Sequence, residues 1–233
     1  MKILSKDTQF RTISKSIRLG AILAIVGGFL DAYTYICRGG VFANAETGNI
    51  VLVGIGLANK DFVKAFMAFL PIVAFILGVF LVEYIRSKYS FNSFLEFEQG
   101  ILIIEMIVLV IVGFIPITVS HSVVASIISF VSSLQIQSFR KLVDSPYSTT
   151  MCTGNLRSAS ELTYNYITKR ESSYGIKSTR YWIIIIFFIV GAAIGGILTT
   201  LYKEKSVWVC VVILLGGTIL FSINKTVINI EEE

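Results

Sequence analysis

Long apolar stretches separated by short polar interruptions run through most of the chain. Six of them reach roughly 20 residues, the length at which an α-helix crosses the hydrocarbon core of a bilayer. Pro71 predicts a kink in the second stretch, and a tight turn near Pro116 and His121 separates the third from the fourth. The pattern therefore predicts an all-α integral membrane protein with six transmembrane helices. The six stretches are residues 18–38, 62–86, 99–118, 120–141, 180–202 and 206–224.

Two further segments, residues 40–60 and 146–167, do not fit this pattern of spans. Each begins with small and polar residues and continues into a helix-like stretch. The apolar part of the first, residues 50–58, would cover only about 14 Å at 1.5 Å per residue, which is half a bilayer. The second is too polar to face lipid. We therefore interpret both as broken, re-entrant half-helices that return to the side of the membrane from which they start.

The composition agrees with a membrane protein and indicates no additional soluble domain. Of the 233 residues, 55% are apolar and only 15% are charged, against about 25% charged in soluble domains. A chain of this length cannot bury so much apolar surface in its own core. We therefore expect a single membrane domain over residues 1–233. The basic N-terminal arm is long and no small-residue cleavage site follows it, which indicates a retained first helix rather than a signal peptide.

The distribution of basic residues indicates the orientation in the membrane. The formal net charge of +5 bears first on topology and on anionic lipid, and the chain has no aromatic-basic module for nucleic acid. If both half-helices are re-entrant, the two termini and most basic loops lie in the cytoplasm. If both span the bilayer instead, four basic residues move outside, which the positive-inside rule disfavours. These four are Arg86, Lys88, Arg140 and Lys141.

An internal repeat relates the two halves of the chain. The tripeptide Thr-Gly-Asn occurs at 47–49 and again at 153–155, an offset of 106 residues. The same offset places Asp31 in the first span opposite Gln137 in the fourth. Because each half contains three crossings, the second copy must be inverted relative to the first, as in many secondary transporters. A chance match of the tripeptide is the alternative. The predicted repeats are residues 18–118 and 120–224.

Three acidic residues are candidates for coupling to a proton or cation. Asp31 lies deep in the first span, where a carboxylate is costly unless it is protonated, paired or facing water. Glu46 either joins Asp31 as a second carboxylate or faces an outer vestibule, and Arg38 is close enough in sequence to neutralise either acid. Glu105 lies inside the third span, where a structural pairing and a relay role are both open. For Asp31, a structural hydrogen bond to a neighbouring helix is the alternative.

The two Thr-Gly-Asn segments are the candidate solute site. Their glycines permit close approach of a backbone, and Thr and Asn are residue types that cap helix N-termini. If a half-helix starts there, its free amides favour an anion or a carbonyl oxygen. Ordinary capping without a ligand is the alternative. Neighbouring polar residues would line the same space. The predicted solute-binding set is Asn44, Thr47, Gly48, Asn49, Gln137, Thr150, Thr153, Gly154 and Asn155.

The run GGFLDAYTYICRGGVFANAETGNIVLVGIGLA, from Gly27 to Ala58, resembles the opening block of the YoaK-like family of bacterial membrane proteins. The second Thr-Gly-Asn, followed by Leu-Arg-Ser, is similar to that family's second block, and the span layout matches across nearly the whole chain. The resemblance implies about six transmembrane helices in a bacterial cytoplasmic membrane. It implies no activity, because the family is one of uncharacterised function. The second half departs from the first, with Gln137 and Cys152 at the positions of Asp31 and Glu46.

Together these features predict a secondary transporter of a small anionic or carbonyl-bearing solute, bound near the midplane, with Asp31 taking the coupling proton. A channel and a non-transporting membrane interaction or assembly protein are the alternatives. No catalytic motif is present, so we expect no enzyme. No cofactor or metal is expected either, because the three cysteines form no CxxC pair and are interpreted as buried apolar residues. The lipid bilayer and the solute are the expected partners, and small-residue helix faces would allow a homodimer.

Overall fold

A computed structural model of the chain describes residues 6–88, 94–139 and 152–219. Every regular element within these ranges is a helix, as the sequence predicted. Thr150, Arg140 and Lys141 lie outside the described residues. The helices are α1 (Lys6–Cys37), α2 (Glu46–Ala58), α3 (Phe62–Lys88), α4 (Phe94–Val112), α5 (His121–Ser138), α6 (Cys152–Lys169), α7 (Ser172–Tyr202) and, after a 3-10 turn at Lys203–Val207, α8 (208–219).

Three helical stretches in the described part of the chain are long and apolar enough to cross a membrane. They are Ile17–Cys37, Phe62–Lys88 and Ser172–Ile219. Two other helices of similar length are interrupted by polar residues: the otherwise apolar α4 contains three glutamates, and α5 contains serines and glutamines along its whole length. Of the 18 residues of α5, 13 are buried in the protein. A helix covered by other helices needs no apolar surface toward lipid, which accounts for its polar sequence.

Several helix boundaries differ from the sequence prediction. The helix predicted over 99–118 ends at Val112, because residues 113–120 form a turn and Pro116 cannot continue the backbone hydrogen bonding of a helix. His121 is the first residue of α5 rather than part of that turn. The helix predicted to start at 180 begins at Ser172, because its polar first turns pack against α6.

The helix α1 packs closely and in parallel against α7 through small residues. A Cβ added at Gly28 would overlap the carbonyl oxygen of Phe188, and a Cβ at Gly191 would overlap that of Ile25. One turn further along α7, a Cβ at Gly195 would lie 2.8 Å from the Cα of Phe29. Small residues let backbones approach where lipid supplies no hydrophobic drive for association, so these glycines set the distance between the two helices.

A second parallel pair joins α3 to α5. A Cβ at Gly78 would overlap the hydroxyl of Ser133 and would lie 2.8 Å from the carbonyl oxygen of Phe130. Arg86, near the end of α3, donates to the carbonyl oxygen of Ser138 at the end of α5, at 2.9 Å. The two close pairs, α1 with α7 and α3 with α5, form the centre of the fold.

Two helical hairpins are attached to these pairs. In the first, α2 turns back into α3, and Gly56 lies against the backbone of Ala65. Asp61 directly precedes α3 and accepts a hydrogen bond from the backbone amide of Lys64 at 3.1 Å. This hydrogen bond holds the pKa of the exposed carboxyl below its usual range. In the second hairpin, α6 turns back into α7, and Ser178 donates to the carbonyl oxygen of Ala159 at 3.0 Å.

The helix bundle has two ends, named here after an arginine at each. At the Arg38 end, the end of α1 meets the α4–α5 turn, because Arg38 donates to the carbonyl oxygens of Ile115 and Pro116 at 2.8 and 3.2 Å. The α2–α3 turn and the 3-10 turn lie at this end too. At the Arg86 end, α3 and α5 finish and the α6–α7 turn is found. Large apolar side chains are exposed along the outward faces of α3, α4, α7 and α8, as a bilayer requires.

We expect Gly191→Ala to destabilise the protein, because the added methyl group overlaps the α1 backbone and overpacking costs about 1–3 kcal/mol. The thermal unfolding midpoint of the detergent-purified protein should fall. The matched control is Gly216→Ala on the exposed face of α8, where no described atom lies within 4 Å of an added Cβ and the midpoint should be unchanged or higher. Equal midpoints for the two variants would contradict the close α1–α7 contact.

Candidate functional site

A cavity of about 590 Å³ lies where the first turns of α2 and α6 meet the last two turns of α1 and the middle of α7. This volume is within the range of pockets that bind small molecules. Both predicted Thr-Gly-Asn segments contribute to it. Its polar described lining residues are Asp31, Asn44, Glu46, Thr47, Cys152 and Thr153, and its wall also contains Tyr35, Phe42, Phe75, Gly154 and Phe188.

Asp31 fixes the start of α2 from the neighbouring helix α1. The side chain is only 5% exposed, and its Oδ1 accepts the backbone amides of Asn44 at 2.7 Å and Ala45 at 3.4 Å. These amides lie at the positive end of the α2 dipole, where a carboxylate is favoured. The amides of Asn44 and Ala45 are therefore not free for a solute, and binding of a solute by amides within the first turn of α2 stays a prediction.

The Thr-Gly-Asn residues also do not cap α2 in the predicted way. The helix begins at Glu46, the residue in the N-cap position is Ala45, and no side chain caps it. Thr47 and Asn49 consequently lie inside the first turns of the helix. Thr47 lines the cavity, whereas Asn49 is fully buried behind it.

Asn49 organises the loop that precedes α2. Its Oδ1 accepts the amide of Phe42 at 2.9 Å, and its Nδ2 donates to the carbonyl oxygen of Phe42 at 2.8 Å. The same Nδ2 donates to Oε2 of Glu46 at 2.9 Å. The ring of Phe42 covers Gly48 so closely that an added Cβ would lie 2.8 Å from it. Glycine is therefore required here for packing, and Asn49 shapes the cavity without lining it.

Asn44 ties the same loop to α1 and leaves one oxygen unused. Its Nδ2 donates to the carbonyl oxygen of Gly27 at 3.1 Å, more than two turns before the end of α1. Its Oδ1 is buried and accepts no hydrogen bond. An unsatisfied buried acceptor is costly, so a ligand that donates a hydrogen bond here would be favoured.

Glu46 connects the cavity to the α3–α5 pair. Its Oε1 accepts the hydroxyl of Ser129 on α5 at 2.8 Å, and Ser129 also lies 3.0 Å from the carbonyl oxygen of Pro71 on α3. The sequence analysis did not single out Ser129. A signal was present, because serines recur at 122, 126, 129 and 133, a spacing that places them along one face of a helix.

The second Thr-Gly-Asn segment lies at the start of the described part of α6, which covers Cys152–Lys169, and the first lies in the opening turns of α2. Thr153 and Gly154 line the cavity, and Asn155 is buried at 2% exposure outside the lining. No described atom lies within 4 Å of a Cβ at Gly154, so this glycine, unlike Gly48, leaves open space.

Two predicted site residues lie away from the cavity. Gln137 donates to the carboxylate of Glu83 on α3, near the Arg86 end. Glu105 is 1% exposed on α4, and neither carboxylate oxygen has a hydrogen-bond partner among the described residues, so the structural pairing left open for it is not observed there.

Arg38 does not neutralise either cavity acid. Its guanidinium donates to the hydroxyl of Tyr33 at 3.0 and 3.2 Å and to the carbonyl oxygens of Ile115 and Pro116. The side chain is fully buried in these contacts. Its role is to fasten the end of α1 to the α4–α5 turn, and the suggestion that it pairs with Asp31 or Glu46 is wrong.

Apolar outward faces around an interior that contains buried acids and a polar cavity define a helical integral membrane protein. The chain belongs to the family described as "Protein of unknown function (DUF1275)", whose model matches residues 19–220. It is 24% identical over 201 residues to the UPF0700 transmembrane protein YoaK of Bacillus subtilis (strain 168), covering 84% of this chain and 89% of that protein. The resemblance to the YoaK-like family is thereby confirmed. No solved structure matches the chain.

We expect Asn49→Ala to destabilise the protein, because the amide and the carbonyl of Phe42 both lose their side-chain partner and a buried unsatisfied group costs about 1–3 kcal/mol. The thermal unfolding midpoint in detergent should fall clearly. Asn59→Ala is the matched control, since Asn59 is exposed and only its backbone is engaged at the end of α2. A midpoint for Asn49→Ala equal to that of this control would show that the loop does not depend on Asn49.

Proposed function

We propose that the protein is a secondary transporter that carries a small solute through the cavity between the starts of α2 and α6. The observation that carries this proposal is the position of that cavity. It lies between the last two turns of α1 and the middle of α7, it contains Asp31 and Glu46, and the first turns of α2 and α6 both line it. Secondary transporters place their sites at such breaks between repeats.

The packing of the helices supports a fold of two inverted repeats, each with three spans and one re-entrant half-helix. The proposed repeat relates α1 to α5, α2 to α6, α3 to α7 and α4 to α8. When each helix is exchanged for its counterpart, the α1–α7 pair becomes the α5–α3 pair. The same exchange turns the α2–α3 hairpin into the α6–α7 hairpin. From the cavity, α2 runs to the Arg38 end and α6 runs to the Arg86 end, as inversion demands.

The contacts of Asp31 and Glu46 support a coupling role for these two acids. Asp31 accepts two amides at the start of α2, and Glu46 links the same helix to α5. Protonation of Asp31 would weaken its charge-assisted hydrogen bonds to Asn44 and Ala45 and loosen the loop. Proton binding and the shape of the cavity are therefore coupled in this proposal. Glu105 and Gln137 lie away from the cavity and have no part in binding the solute.

The charges support placing the Arg86 end, together with both termini, in the cytoplasm of a bacterial cell. Among the residues that the structure describes, exposed basic side chains are more numerous at this end than at the Arg38 end, as the positive-inside rule expects. At the Arg38 end, Lys64 pairs with Asp61 at 3.1 Å. The exposed basic residues at the Arg86 end are Arg18, Lys88, Lys169, Arg170 and Lys177, and those at the Arg38 end are Lys60, Lys64, Lys203 and Lys205.

The transport proposal is tested with the purified chain in liposomes and a panel of small carboxylates, amides and amines. We expect at least one member to enter with saturable kinetics that depend on a proton gradient, and Asp31→Asn to abolish this dependence. Glu161→Gln, which changes an exposed acid on α6, is the control and should behave like the unaltered protein.

Two results would overturn the transport proposal. Non-saturable flux with single-channel currents would indicate a channel. Uptake no greater than in protein-free liposomes across the panel would favour the non-transporting interaction or assembly role.

The topology is tested by labelling single cysteines, in a background without the native cysteines, using a membrane-impermeant maleimide on intact bacterial cells. We expect Lys60→Cys to be labelled from outside and Arg170→Cys only after permeabilisation. The two sites are well matched, because both are exposed helix-end positions with φ of 57° and 55°. The reverse labelling pattern would reject the proposed orientation, and labelling of both from outside would reject the arrangement of spans.

A further inference from the structure

The cavity between α2 and α6 is lined by acidic and hydrogen-bond-accepting groups. Asp31 and Glu46 are both part of its wall, and the described lining residues include no lysine, arginine or histidine. Neither acid has an ion-pair partner within the described ranges; each is held only by neutral donors. Acids that share a cavity without a basic partner favour a positively charged ligand over a negatively charged one.

Several donors near the first half of the cavity are already used. The amides of Asn44 and Ala45 donate to Asp31, and the side-chain nitrogen of Asn44 donates to the carbonyl oxygen of Gly27. The side-chain nitrogen of Asn49 donates to the carbonyl oxygen of Phe42 and to Oε2 of Glu46. Thr47 and Tyr35 also line the cavity, and their hydroxyls can either donate or accept. Oδ1 of Asn44 is buried and receives no hydrogen bond, so a ligand that donates would satisfy it.

The rest of the wall is aromatic and apolar. Tyr35 and Phe42 stack with their ring centroids 5.1 Å apart, and Phe75 and Phe188 contribute further rings from α3 and α7. Aromatic faces attract cations through their quadrupoles and bury apolar surface well. An inorganic cation would use little of this wall, whereas an organic cation with an apolar body would use both parts of the cavity.

We propose that the solute of this cavity is an organic amine that is protonated at neutral pH and carries an aromatic or aliphatic body. This inference rests on the proposed function of the same cavity and replaces the anionic class expected from the sequence. The ammonium group donates toward Asn44 Oδ1 and the carboxylate of Glu46, while the body packs against the aromatic wall. Asp31 keeps its bonds to the α2 amides and adds negative charge to the cavity.

The experiment measures binding to the purified full chain with three probes of matched shape: phenethylamine, 3-phenylpropionate and 2-phenylethanol. We expect phenethylamine to bind at least about tenfold more tightly than the other two, which corresponds to 1.4 kcal/mol or more. Glu46→Gln should weaken amine binding by a similar factor. The control Glu161→Gln, an exposed acid on α6 outside the cavity, should leave all three affinities unchanged.

A second variant guards against a loss of binding that merely reflects misfolding. Thr153→Lys places a cation at the cavity from α6, at a side chain with no hydrogen bond to lose among the described residues. We expect it to reverse the order, so that 3-phenylpropionate binds more tightly than phenethylamine. A misfolded protein would lose both probes instead of exchanging them. An unchanged order in Thr153→Lys would show that the probes bind elsewhere and would overturn the proposal.

The outcomes separate this inference from the transport proposal. Equal or tighter binding of 3-phenylpropionate to the unaltered chain, or no measurable binding of phenethylamine, overturns the amine class. Saturable uptake of a carboxylate in liposomes keeps the transport proposal and overturns the amine class. Tight amine binding without uptake keeps the ligand class and overturns transport.

Discussion

The hydrogen bonds between the Asp31 carboxylate and the amides at the start of α2 are the contacts on which the cavity depends. After the end of α1, the chain folds back beside the same helix. The hydrogen bonds hold this loop against Asp31 and Gly27 of α1. In a bilayer, backbone amides at that depth cannot turn to water, so a carboxylate from the neighbouring helix is an effective partner. With that contact in place, Asn49 can pin Phe42, Phe42 can cover Gly48, and Glu46 can reach Ser129 on α5.

Much of this arrangement could be predicted from the sequence, because lipid makes strong demands on a chain. Long apolar runs predicted the helices, and the two Thr-Gly-Asn segments, which were singled out as one site, both contribute to the same cavity. A structural hydrogen bond from Asp31 to a neighbouring helix was one of the predicted alternatives, but its partners could not be predicted, since they are backbone amides, which carry no sequence signature. The role of Arg38 was misjudged because proximity along the chain says nothing about where a long side chain turns, and its partners come from residues 115 and 116.

The two halves differ where chemistry would be expected to differ. Gln137, at the position that corresponds to Asp31, donates to Glu83 near the Arg86 end. Cys152 replaces Glu46 in the first turn of the short helix, so the second half brings no acid to the cavity from that position. The negative charge of the described cavity wall therefore comes entirely from the first half of the chain. A cavity to which both halves contribute is in this way strongly one-sided.

The close glycine contacts of α1 with α7, and of α3 with α5, have a consequence for what can move. Each pair joins a helix from the first half of the chain to one from the second, and backbone packing this tight resists separation. The rigid units would then be the mixed pairs, and the boundary between them would not coincide with the midpoint of the sequence. The start of α2 touches both units, through Asp31 on one side and Ser129 on the other. Any relative sliding of the pairs must therefore strain this single short segment, which makes it the natural place to read out motion spectroscopically.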